Sequence, residues 1–132
     1  MRGVFGGGVV TGLQELGLNQ VFDYAIGVSA GSANLAYILS GQGRVGTSIY
    51  YEDLVHHRFI RWHNFPKIAK EGIDTLDKIF RGKIGNKELD EDTVRSSRTH
   101  LLLAVTNSDT GQGQLLAAQN PNIDIYAAIK AT

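Results

Sequence analysis

The chain has 132 residues, 42% of them hydrophobic and 20% charged, which fits one globular domain or part of a larger one and excludes wholesale disorder. Thirteen Lys/Arg against thirteen Asp/Glu give zero net charge, which argues against nucleic-acid binding by bulk charge. With no cysteine there is no disulfide framework, thiolate metal site or cysteine nucleophile; the four histidines and thirteen acids show neither HExxH nor EF-hand spacing, so a metal site has no support.

Taken in chain order, the first segment is glycine-heavy: Gly3, Gly6, Gly7, Gly8, Gly12 and Gly17 fall within its first seventeen residues. A lone arginine before GVFGGGVVTGL faintly imitates a secretory leader, but no small-residue cleavage site follows. Residues 8–18 place Val9, Val10, Leu13 and Leu16 near one helical face, with Gly17 as the stop. Residues 21–28, VFDYAIGV, read as a short buried strand. Residues 30–40 predict a helix with Leu35, Ile38 and Leu39 inward and Gly41 after it, and residues 48–60 look helical as well.

In GIDTLDKIFRG, Asp74 is expected to cap a short helix that turns Ile73, Leu76, Ile79 and Phe80 inward. ELDEDTVRSS reads as a polar connector. HLLLAVTNSDTG and GQLLAAQN follow as strands joined by a turn-rich tip at Asp109 to Gly113, and IDIYAAIKAT closes as a helix. Helices alternating with strands predict a layered α/β fold. No run reaches the roughly 18 apolar residues of a membrane span.

Chemistry centres on Gly27-Val28-Ser29-Ala30-Gly31, a G-x-S-x-G between a predicted strand and a predicted helix. A nucleophilic serine raised on a sharp strand-to-helix turn forces tight backbone contacts at its flanks, where a Cβ would clash. At a helix N-terminus its oxygen also meets the positive end of the helix dipole, which favours the oxyanion of acyl transfer. The plainer alternative is a serine that serves only as a turn residue or N-cap. A serine needs a base, and His56, His57, His63 and His100 are the histidine candidates, none in a loop just after a predicted strand.

MRGVFGGGVVTGLQELG followed by FDYAIGVSAGSANLAYILSGQ resembles the start of the patatin-like phospholipases, lipid acyl hydrolases that use a Ser–Asp dyad. The close likeness covers about the first 42 residues; LLLAVTNSDTGQ is similar to a later strand and hairpin of the family. The resemblance implies a three-layer α/β/α fold, here incomplete, with the first strand and the C-terminal part missing from a single partial domain over residues 1–132. It makes Ser29 the nucleophile, with Gly27, Val28, Ala30 and Gly31 as the elbow that carries it.

In the family's register Met1-Arg2-Gly3 ends the motif G-G-G-x-[RK]-G, so Arg2 and Gly3 are what remains of the oxyanion hole, and Gly6, Gly7 and Gly8 fall in or near the first turn of the helix. The family's base is an aspartate followed by glycine. No aspartate of this sequence is followed by glycine, so the base is expected beyond this chain. The implied substrate is a phospholipid or other acyl ester, with no cofactor. A catalytically incomplete remnant that binds lipid or a partner is the alternative, and a histidine-based triad a third.

Between His56 and Lys87, eight Lys/Arg stand against three acids, interleaved with Phe59, Ile60, Trp62, Phe65 and Ile68. Such a mixture suits peripheral contact with a lipid headgroup layer, at a cytoplasmic location. The competing reading is a solvated helix pair whose aromatics serve the core, in line with the acidic run that follows at Glu88-Leu89-Asp90-Glu91-Asp92.

Overall fold

A computed structural model describes residues 2–56 and 65–132, and the side chains of residues 2–55 and 71–132. Its elements run α1 (Arg2–Glu15), β1 (Tyr24–Gly27), α2 (Ala30–Leu39), α3 (Gly43–Ser48), a π-helical turn (Ile49–Asp53), α4 (Leu54–His56), α5 (Phe65–Phe80), α6 (Glu91–Ser96), β2 (His100–Thr106), β3 (Gly113–Ala117) and α7 (Ile125–Ala131). The sheet has the order β1-β2-β3. β1 and β2 are parallel, with Tyr24 opposite His100 and Gly27 opposite Leu103, and β3 returns antiparallel to β2.

Strand alternation sends Ala25, Gly27, Leu101, Leu103 and Leu116 to one face of the sheet. There they meet α2 and α7, and Leu101 and Leu103 are fully buried. Tyr24 and Ile26 point to the other face and are more than half exposed, as is Leu115 of β3. The described residues therefore form an α/β fold with helices on one sheet face. The second helical layer of the expected three is not among them.

The centre of the helical layer is α2. Its sequence AGSANLAYIL is apolar almost all round, and such a helix is stable only when surrounded. It touches α1, α3, α6, β1 and β2, and buries Ala36, Tyr37, Ile38 and Leu39. The helix closes as expected at Gly41: that residue takes φ +76°, and Gln42 N–H returns to Tyr37 O at 2.7 Å.

Three expectations change. α1 starts at Arg2, not near residue 8, so Gly6, Gly7 and Gly8 lie one to two turns inside it. Five glycines oppose a helix by roughly 1 kcal/mol each relative to alanine, and tertiary packing overrides that preference. The stripe Gly3, Gly7 and Thr11 lies against Ala30, Tyr50 and Thr47, with Thr11 Oγ1 and Thr47 Oγ1 2.8 Å apart. The expected inward face is half right: Val10 and Leu13 pack on the core, whereas Val9 is 49% and Leu16 74% exposed.

Asp74 is no cap, because α5 already begins at Phe65; instead it lies 3.9 Å from Lys130. The polar connector contains a helix, α6, whose N-cap Asp90 accepts from Thr93 N–H at 2.9 Å and whose Val94 is fully buried. One apolar anchor in a polar run leaves no periodicity to read. Arg95 on α6 then ties the end of β3 to α7, donating to the carbonyl oxygens of Ala118, Asn120 and Ile123 at 2.8, 2.9 and 2.6 Å.

Candidate active site

The turn between β1 and α2 places Ser29 at the C-terminal edge of the parallel pair, where open α/β sheets bind ligands. Its backbone stands at φ 52°, ψ −131°. A non-glycine residue held there costs on the order of 1–3 kcal/mol and persists only when its surroundings dictate it. The hydroxyl is exposed and makes no capping hydrogen bond to α2. The N-cap alternative is therefore removed: a serine recruited as a cap has an extended backbone and spends its oxygen on the N–H of the first turn.

Gly27 explains how the turn closes. A Cβ there would lie 2.5 Å from Ser32 Cα and 3.0 Å from Ser32 N, so β1 and α2 approach too closely for any side chain. Gly31 differs from the expectation, since a Cβ at that position meets nothing within 4 Å. Val28 is 61% exposed, and Ala30 touches α1. Val28 O and Ser29 O accept from Gly31 and Ser32 N–H at 2.9 Å each and start α2. Ser32 Oγ beneath the turn is fully buried without a hydrogen-bond partner.

Gly3 and Ser29 line one cavity of about 450 Å³. Ala33 of α2, Ile49 and Leu54 of the α3–α4 run, Leu76 and Phe80 of α5 and Ile129 of α7 give it apolar walls. Its polar groups include Asn34, Tyr37, Tyr50 and Lys130, and no carboxylate lines it among the described residues. Burial pushes the Tyr50 hydroxyl above its ordinary pKa, against the opposing pull of its hydrogen bond to Asn34, so it is a neutral donor at physiological pH. Arg2 is exposed at the start of α1. Thr132 Oγ1 comes within 3.5 Å of Ser29 O, so the end of α7 lies at the mouth of the cavity.

Asn34, Tyr50 and Thr132 escaped the sequence reading. The available signal was Asn34, a lone amide in an otherwise apolar helix.

His100 is not brought to the serine. It pairs with Tyr24 at the opposite end of β1, stacked on that ring at 5.5 Å, and the four strand residues to Val28 span about 13 Å. His57 and His63 lie outside the described residues, as does the side chain of His56. Residues 57–64 of the basic and aromatic segment, Arg58, Arg61, Phe59, Ile60 and Trp62 included, are outside them too. In its described part Arg81 pairs with Asp77 and Asp124, and Lys87 with Glu52 and Asp53 at 2.5 and 2.6 Å. Two of its cations are thus committed within the fold. No described helix is long and apolar enough to cross a membrane.

Among known proteins, no curated protein and no solved structure matches the chain. The family model described as patatin-like phospholipase matches residues 1–132 of the chain. With an exposed serine on a strained strand-to-helix turn and an apolar cavity beside it, the chain belongs to the patatin-like phospholipase family.

Proposed function

We propose that the protein hydrolyses acyl esters of lipids, with Ser29 as the nucleophile of a Ser–Asp dyad whose aspartate follows residue 132 in the full-length sequence. The observation that carries the reading is the backbone of Ser29: φ 52°, ψ −131°, with a hydroxyl left uncommitted. Strain of this kind collects at reacting groups because the geometry they need differs from the one the chain prefers. An aspartate supplied from elsewhere is consistent with the cavity, which has no carboxylate among the described residues.

In the first step Ser29 Oγ bonds to the acyl carbonyl carbon and its proton passes to the aspartate. The carbonyl oxygen takes the negative charge near the N-terminus of α2 and the first turn of α1, around Arg2 and Gly3. The ester C–O bond then breaks, the alcohol leaves with the proton, and water releases the acid from Ser29 by the reverse sequence. The apolar walls of the cavity suit the acyl chain and its size suits a small-molecule pocket.

A lipid- or partner-binding remnant is the competing reading, favoured by the same lack of a carboxylate. Labelling by a fluorophosphonate, together with fatty-acid release from phosphatidylcholine vesicles, decides between them. Both must disappear in Ser29→Ala; a wild-type protein that does neither leaves only the binding role. Contact with anionic vesicles through the basic segment belongs to this proposal too. It fails if exchanging Arg58, Arg61 and Lys67 for glutamate leaves vesicle binding unchanged.

A further inference from the structure

Asn34 stands in the second turn of α2, and only 6% of it is exposed. Its Nδ2 donates to Gly3 O and its Oδ1 accepts from the Tyr50 hydroxyl, both at 3.0 Å. A buried amide with both ends engaged has one orientation. Gly3 in turn has no room to move inward: a Cβ there would lie 2.8 Å from Ala30 Cβ and 2.9 Å from the Tyr50 oxygen. One hydrogen bond and one close contact thus locate the first turn of α1 against the residue that follows Ser29. The first N–H groups of a helix have no partner within it, and Gly3, in the first turn of α1, lines the same cavity as Ser29.

We infer that Asn34, held in place by Tyr50, is a positioning residue for acyl transfer at Ser29, setting the first turn of α1 at the distance from which its N–H groups stabilise the oxyanion. The inference rests on the reading of Ser29 as nucleophile. Asn34 lines the cavity, but both ends of its amide are engaged within the protein, so its loss alters the rate of the chemical step more than ligand affinity. The Tyr50 ring also rests against Gly3, but its hydrogen bond acts through Asn34, so loss of that bond and loss of Asn34 are not additive.

The test is fluorophosphonate labelling of Ser29 in the full-length protein, followed across probe concentrations to separate the maximal rate kinact from the affinity KI. Asn34→Ala is expected to lower kinact about tenfold, with KI unchanged within about twofold. Tyr50→Phe keeps the ring against Gly3 and is expected to lower kinact about threefold, and the double variant no further than Asn34→Ala alone. A residue that only supports the fold would reduce the fraction of protein labelled, not kinact of the folded fraction. An unchanged kinact in Asn34→Ala, or fully additive losses, overturns the inference while Ser29 stands. A wild-type protein that takes no label overturns both. If Asn34→Ala does not fold, Tyr50→Phe decides alone: an unchanged kinact there sinks the inference.

Discussion

Replacing either glycine of the serine turn by alanine is chemically the same change, yet the structure predicts opposite signs. At Gly27 the new methyl would stand 2.5 Å from Ser32 Cα, 2.9 Å from its Oγ and 3.0 Å from its N. Carbon atoms rest at about 3.5–4.0 Å, so α2 must retreat from β1 by about 1 Å. The obstacle is main chain and cannot rotate aside, and α2 carries the buried Ala36, Tyr37, Ile38 and Leu39 with it. Overpacking costs roughly 1–3 kcal/mol, and a rigid neighbour puts this case near 3.

At Gly31 the methyl meets nothing within 4 Å, and φ is not positive. Alanine restricts the unfolded chain and favours the helix, for a gain of about 0.5 kcal/mol. Urea denaturation of the full-length protein, with m held constant as the check on two-state behaviour, measures both. In thermal melts Gly27→Ala should lower Tm and Gly31→Ala should raise it slightly. A Gly27→Ala protein within about 0.5 kcal/mol of wild type, or a Gly31→Ala protein equally damaged, refutes the close-contact account of the turn.

Ser32→Ala removes a buried hydroxyl that has no partner, so stability should hold or rise by up to about 1 kcal/mol; a loss of that size would mean the hydroxyl has a partner after all. Asp124 caps α7, and Ala127 N–H holds its carboxyl below the ordinary aspartate value of 3.8, against the opposing effect of burial and with help from Arg81. A depressed folded pKa contributes stability above 3.8 that is lost as pH falls through the lower folded value. Asp124→Ala should therefore cost about 1 kcal/mol at neutral pH, and its unfolding curve should merge with the wild type's in acid; a gap of constant size refutes this. His100→Ala should label with fluorophosphonate at the wild-type rate, since His100 faces away at the far end of β1. A tenfold loss would favour the histidine-base reading, with His100 as the base.

Much of the architecture was legible because the relevant signals are local. The β1–Ser29–α2 turn, the stop at Gly41, the β2–β3 hairpin and the closing helix each rest on a few neighbouring residues whose conformational limits any context respects. The motif GVSAG likewise announced where a strained serine would stand, because only a glycine at residue 27 permits the approach of Ser32.

What tertiary structure decided depends on partners distant in sequence. α1 is helical through five glycines because its small-residue stripe fits against Ala30, Thr47 and Tyr50, a fact no propensity contains. α6 exists because Val94 and Arg95 find the core and the carbonyl oxygens after β3, some 25 residues on. The same holds for the site. The sequence by itself determined the turn that carries Ser29, since that geometry is set within five residues. Only the fold could bring Gly3, Asn34, Tyr50 and Thr132 around Ser29, because hydrogen bonds and close contacts across 16 to 103 residues of chain leave no periodic trace in the sequence.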